Sequence, residues 1–416
     1  MMSLRSFGWN VAAGLALAAC VAAQPPPSQD QQPNSNSGKP IKIDPTYQKL
    51  ADETGGQVYV LDRNDTAQLG AVMALNSYSN KQELLTVNGS LAAQRAFEVP
   101  VGSGNRHLLV SATGVTSVRV VAPNGVVIHG GAAGVKYVTL QNGAMYAVDE
   151  PEAGTWNIEL GGDGNYSLRV AAIPDRASNN SSSSGAAIRT EAARMDDTDL
   201  LSFKFQEIAG RPGHEGLFRI AGFPLAGQKY PVEAEMSGDF STARFEFRSP
   251  QGEVLQSLVL RRRPAEGEGD KDGAKTYEGE VAAPAEPFRV YASGFDMTGH
   301  RYQRVLPQII RPQLFTVEGP RYAEWAAGES VAVRFVVRNA GTADRFNATI
   351  VDAKNYLTSA KQVSFEVAEN ASHELNVALN LPAGATSDTL IVTVARADDA
   401  NATNHAIVEA SIVAKP

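Results

Sequence analysis

Six histidines, one cysteine and several acidic loops are the residues of this chain best suited to chemistry, and their spacing limits what they can do. His107, His129, His214, His300, His373 and His405 stand singly, with no pair at the spacing that lets one element hold a metal. His214-Glu215 opens like a zinc-protease helix, but no second histidine follows, and Gly210, Pro212 and Gly213 oppose a helix there. Ser103 lies in Gly102-Ser103-Gly104, not in a nucleophile elbow, and reads as a loop residue. Asp270-Lys271-Asp272-Gly273 shares the opening of a calcium loop but lacks the later glutamate and the flanking helices, so it reads as a solvated charge run. Gly161 to Gly164 lacks the Rossmann spacing, and acidic residues soon follow Arg261-Arg262-Arg263. Trp156, Tyr166 and Trp325 would stack on sugar rings if exposed. Strand alternation places the first two in a core, which leaves Trp325 as the candidate ligand contact. The expectation is a chain with no catalytic, cofactor-binding or metal-binding residue, the alternative being a Ser–His–acid set assembled from distant segments.

The start of the chain has a chemistry of its own. Arg5 precedes an apolar run from Val11 to Ala19, too short to span a bilayer and of the form of an export signal. It ends Leu17-Ala18-Ala19-Cys20, which resembles the lipobox of bacterial lipoproteins, so residues 1–20 are read as a signal peptide with lipobox and Cys20 as the acylated residue. The alternative is an ordinary signal cleaved after Val21-Ala22-Ala23. Cys20 is the single cysteine, so no disulfide forms within the chain and the domains stand on packing alone. Residues 21–40, rich in Pro, Gln, Ser and Asn, cannot repay the entropy of ordering and read as a tether. A formal net charge of −8 argues against nucleic acid as a partner.

The remaining elements are mostly strands. Over 41–80, Asp44-Pro45 starts a helix that Gly55-Gly56 ends. Gln57–Leu61 reads as a short strand, and a second helix is expected from a cap at Asn64 or Asp65. From about residue 81 the period changes to two. Trp156, Ile158 and Leu160 alternate with polar residues, as do Tyr166, Leu168 and Val170. With Gly161–Asn165 between them, these runs predict a hairpin that closes a β-sandwich over 81–173. An Asn/Ser-rich linker over 174–198 follows. A second β-rich module covers 199–313. The last, 314–416, shows about seven strands with regularly spaced turns, the pattern of an immunoglobulin-like (Ig-like) sandwich.

Leu50-Ala51-Asp52-Glu53-Thr54-Gly55-Gly56-Gln57-Val58-Tyr59 resembles the closing helix and strand of a von Willebrand factor A domain. Pro151–Trp156, Pro287–Arg304 and Val333–Phe346 resemble the region that follows that domain in hemicentin-like proteins. The resemblance implies a mainly β fold of tandem sandwiches, a galactose-binding-like or jelly-roll module followed by Ig-like ones, after a short α/β remnant. The A domain's Asp-x-Ser-x-Ser metal loop is absent. Asp239-Phe240-Ser241-Thr242-Ala243 comes nearest but has alanine in the third place, so the metal site is not carried over and no cofactor is expected. The function expected is a non-catalytic adhesion, docking or scaffold protein, lipid-anchored in the bacterial envelope, with a periplasmic or secreted location as the alternative. Its partner would be an envelope or extracellular protein. A glycan bound by the first sandwich is the second reading, and a hydrolase with a cryptic site the third.

Overall fold

The computed structural model describes residues 45–78, 80–174, 201–211, 214–220, 222–238, 240–264, 275–399 and 402–414. Cys20, the tether, most of the 174–198 linker, Asp239 and the 270–273 charge run lie outside the described residues. The fold is mainly β. It divides into two compact units, one formed by the described parts of 1–204, 231–280 and 287–310, the other by 205–230, 281–286 and 311–416.

The first unit opens with α1 (Pro45–Thr54). Gly55 ends it at φ +70°, and a Cβ there would also lie 2.8 Å from Pro307 Cγ. The strand expected at 57–61 is reduced to a bridge at Tyr59. The segment crosses the face of a sheet, so its polar groups are met by side chains rather than by a ladder. Gln57 Nε2 donates to Ser111 O (3.4 Å) and Thr113 Oγ1 to Val58 O (3.2 Å). A 3-10 turn over Arg63–Gln68 follows, its capping box formed by Asp62 and Asp65, and leads into α2 (Leu69–Asn76). Tyr59, Val72 and Leu75 bury against Leu109, Val138, Leu140 and Met145, covering that sheet face.

The sheet comprises β1 (Gln82–Val101), β2 (Asn105–Thr113), β3 (Ser117–Val121), β4 (Val127–Ile128), β5 (Val135–Leu140), β6 (Gly143–Asp149) and β7 (Gly154–Pro174). Its order is β4-β3-β7-β2-β6-β5, with β1 along the other edge of β7. The expected hairpin at Gly161–Asn165 does not form. Both halves of β7 pair with β1, Val99 opposite Trp156 and Leu85 opposite Val170, so the chain continues through the glycines. Gly162 (φ +145°), Gly164 (φ +103°) and Ala93 opposite (φ +114°) let the two long strands bend together instead. β3 pairs with the first half of β7 and β2 with the second, which curls one sheet around one core. The alternation itself holds on both sides of the bend, with Trp156, Ile158, Leu160, Tyr166, Leu168 and Val170 all buried there.

The middle strands are β8 (Leu201–Arg211), β9 (His214–Arg219), β10 (Lys229–Met236), β11 (Arg244–Arg248), β12 (Val254–Leu258), β13 (Arg261–Arg262), β14 (Lys275–Ala282), β15 (Arg289–Phe295) and β16 (Arg301–Val305). They form a five-stranded sheet, β13-β14-β10-β8-β9, and a four-stranded sheet, β12-β11-β15-β16. Within the first unit Tyr291 and Val305 join the core of the curled sheet. Tyr291 Oη and Arg289 Nη1 both donate to Thr86 O (3.1 and 3.2 Å), and Gln303 Nε2 donates to Leu84 O (2.7 Å).

The second unit ends in β17 (Phe315–Glu318), β18 (Tyr322–Ala326), β19 (Ser330–Asn339), β20 (Asp344–Asp352), β21 (Gln362–Val367), β22 (Ser372–Asn380), β23 (Ser387–Arg396) and β24 (Thr403–Val413). Sheets β17-β19-β22 and β18-β24-β23-β20-β21 enclose a core of Phe335, Phe346, Val377, Leu390, Val392 and Val408. The first strand is split between them. β17 runs antiparallel to β19, and β18 runs parallel to β24. The crossover at Gly319-Pro320 is fixed by packing, since a Cβ on Gly319 would lie 2.5 Å from Phe335 Cδ1.

Candidate functional site

Asp296, Thr298 and His300 sit on the turn between β15 and β16, and Ser103 meets them from 193 residues away. Ser103 N and Oγ each donate to Asp296 Oδ2 at 2.9 Å. Thr298 N and Oγ1 and His300 N donate to Oδ1 at 2.9, 2.7 and 2.9 Å. Burial opposes ionisation of Asp296, but these bonds outweigh it and hold the carboxyl at about 2. The order of contacts is wrong for a nucleophile. A catalytic serine gives its hydrogen bond to a histidine that a carboxylate orients. Here the carboxylate accepts the serine hydrogen bond itself, and His300 Nδ1 meets the Thr298 hydroxyl at 2.8 Å. The cluster ties a turn to a loop.

Several other titratable groups are also held in structural contacts. Arg169 and Glu83 form a buried pair (2.6 Å) beside Lys81, whose Nζ donates to Asn76 O (2.7 Å). Burial, then the Arg169 charge, lowers the Lys81 amine to about 8. The cavity at this cluster, about 30 Å³, has room for a single water. His107 is held by Asp149 (2.8 Å) and His373 stacks on Phe365. Among the described residues no three His, Cys, Asp or Glu side chains gather where a metal could be held. Trp156 and Tyr166 are core residues, and Trp325, half-buried on β18, packs against the core of the last module.

What remains is a surface. On the outer face of the sheet β18-β24-β23-β20-β21, Val351 of β20 stands opposite Ile391 of β23, which stands opposite Ile407 of β24. Val351 is 52% exposed and Ile407 43%. Single exposed hydrophobics are ordinary, but three aligned across adjacent strands form a continuous stripe roughly 10 Å long. On one side of it lie Thr349, Thr393 and His405, on the other Thr389 and Glu409. Tyr322 of β18, opposite Glu409, is 77% exposed. Beside His405 and Ile407, where β18 has not yet joined β24, an open groove of about 500 Å³ is lined by Val317, Gly319 and Arg321.

Of the residues singled out from sequence, Trp325 and His405 belong to these strands; Trp325 faces inward, and His405 flanks the stripe. The stripe residues went unnoticed, although a signal was present. Leu390-Ile391-Val392 and Ala406-Ile407-Val408 are apolar at consecutive positions, so both faces of those strands are apolar at one level.

Residues 317–414 match the family described as the VWA7 Ig-like domain. Two curated relatives align over 62% of the chain, hemicentin-1 of Mus musculus (23% identical over 265 residues) and hemicentin-1 of Homo sapiens (22% over 264). Residues 317–414 are thus similar to an Ig-like family, and a larger part of the chain is similar to a segment of the hemicentins. The aligned part spans only 4% of each hemicentin. Likeness to solved structures is slight. A Bacillus licheniformis lipase in propeptide form shares 11% identity at a TM-score of 0.24, covering 55% of this chain and 40% of the lipase. A C. elegans MSP family member shares 14% at 0.19, covering 24% of this chain and 99% of that one.

Proposed function

We propose that this chain is a non-catalytic adhesion or scaffold protein that docks through the outer face of its C-terminal Ig-like sheet. The observation behind this reading is the Val351–Ile391–Ile407 stripe, aligned and solvent-facing in the region that matches an Ig-like family. The proposal includes export and a lipid anchor at Cys20 in a bacterial envelope, supported by the apolar run that ends Leu17-Ala18-Ala19-Cys20. The likeness of Leu50–Tyr59 to the close of an A domain belongs to the same reading. A glycan site in the first sandwich has less support, because its aromatic residues Trp156 and Tyr166 face the core.

The test places a photoreactive amino acid at position 407 of the full chain, with position 366 on β21 as an exposed control, and irradiates each in envelope extract. Discrete cross-linked bands at 407 but not at 366 are expected. Equal labelling of both positions, or none at 407, would defeat the docking reading.

A further inference from the structure

We infer that the stripe on the Ig-like sheet is a self-association face, and that its occupant is the same face of a second copy of this chain related by a twofold axis lying along the stripe. This inference rests on the docking reading above and adds the identity of the partner.

Self-complementarity on both sides of the stripe supports it. A twofold axis along Val351–Ile391–Ile407 leaves each strand facing its own counterpart and reverses direction along the strands. Ile407 then meets Ile407 of the second copy, and Ile391 meets Ile391. His405 lies two residues to one side of the stripe on β24 and Glu409 two residues to the other. The same rotation therefore sets His405 of each copy over Glu409 of the other. Both side chains point outward from the sheet, and neither has an ion-pair partner among the described residues. A histidine keeps at least one N–H for a carboxylate acceptor.

Shape agrees with charge. Tyr322 stands on β18 level with Glu409. Rotation carries it to the level of His405 on the same edge, where the facing copy has no strand but the open groove lined by Val317, Gly319, Arg321 and His405 and bordered by that copy's own Tyr322 and Glu409. The exposed tyrosine of each copy thus enters the groove of the other. The groove is a fixed feature, because Gly319 packed on Phe335 and the N–H-less Pro320 keep β18 from extending down that edge of β24. A twofold axis along β23 would instead set Ile407 over Val351 and His405 over Thr349, leaving His405, Glu409 and the tyrosine without counterparts. The surface available is that of one sheet face, so the dimer is expected at the weak end of specific interfaces.

Sedimentation velocity of the full chain up to about 1 mM, the weak limit of specific association, tests this. A reversible monomer–dimer equilibrium is expected. Ile407→Glu should abolish it, while Tyr322→Ala and Glu409→Arg should each weaken it about tenfold. Exchanging the pair, His405→Glu with Glu409→His, should restore dimerisation to within about threefold of wild type, because the twofold axis keeps each imidazole over a carboxylate. All four positions are exposed, and unchanged melting of each variant separates a lost contact from a lost fold. A photoreactive residue at 322 in an equal mixture of isotopically light and heavy chains should cross-link between copies to residues 317–321 or 403–409. A chain that stays monomeric throughout, a dimer indifferent to Ile407→Glu, or cross-links from 322 to any other segment would overturn the inference. Monomeric chain with position 407 cross-linked to a different protein would sink self-association alone and leave the docking reading standing. Silence at 407 would sink both.

Discussion

Asp388, at the start of β23, gives the Ig-like module a pH dependence whose sign and size follow from its surroundings. The residue is 4% exposed, its Oδ1 accepts from Thr389 N (2.8 Å), and its Oδ2 has no donor. Asp352, the neighbouring carboxylate, already accepts from Lys354 N (2.9 Å) and Leu357 N (2.7 Å), which fixes the loop after β20. A buried oxygen without a donor beside a second carboxylate is satisfied by one shared proton. Burial first, then the hydrogen bond and the charge of Asp352, raise Asp388 from 3.8 to about 6. At 1.36 kcal/mol per unit, a rise of about two units corresponds to about 3 kcal/mol. Because the folded value is raised, this stabilisation is complete below about 3.8. It declines as pH rises and is gone above about 6.

Asp388→Asn supplies a permanent amide donor to Asp352 and removes the titration. Calorimetric melting of wild type and variant, compared from about pH 4 to pH 7, subtracts every other group. The two should melt together near pH 4. Near pH 7 the variant should be the more stable, by about 3 kcal/mol or on the order of 10 °C in the transition of this module. A constant difference across that range would refute the shared proton. So would a variant that loses ground as the pH rises.

Three further outcomes follow from the first unit. Asp296 is held at about 2, so its contribution, about 2 kcal/mol, is present above 3.8 and lost as pH falls through 2. Asp296→Asn should therefore lower the neutral-pH unfolding free energy by that amount and leave acid unfolding near pH 2 unchanged, whereas Ser103→Ala should not alter background hydrolysis of a nitrophenyl ester. Arg169→Ala strands the buried Glu83 carboxylate and should cost about 3–5 kcal/mol in denaturant melts, most of it recovered by Glu83→Gln with Arg169→Met.

The β class, the turns and the inward face of most strands were legible in the order of residues, because alternation is a local property and burial follows it. Trp156, Tyr166, Phe335 and Val392 are buried as their periodicity requires. Gly161–Asn165 was misread for a physical reason. A glycine run between two alternating segments fits a reversing turn or a bent strand equally well, and β1, arriving from some seventy residues earlier, decides for the bend. Gln57–Leu61 has strand composition but lies across the face of the sheet, where it makes only a bridge at Tyr59.

The candidate site was hidden more deeply. Val351, Ile391 and Ile407 belong to three separate strands, and nothing in any one of them states that the three share a level. That alignment is fixed by the registers of β20, β23 and β24, and a slip of one residue would turn each side chain to the opposite face. Sequence alone determined that these strands form and which residues their own period turns inward. Tertiary structure alone decided that three outward apolar residues meet in one stripe, that Tyr322 stands beside a groove, and that Ser103 reaches Asp296 instead of a histidine. Period acts between near neighbours, whereas these meetings depend on pairing and loop closure over tens to hundreds of residues.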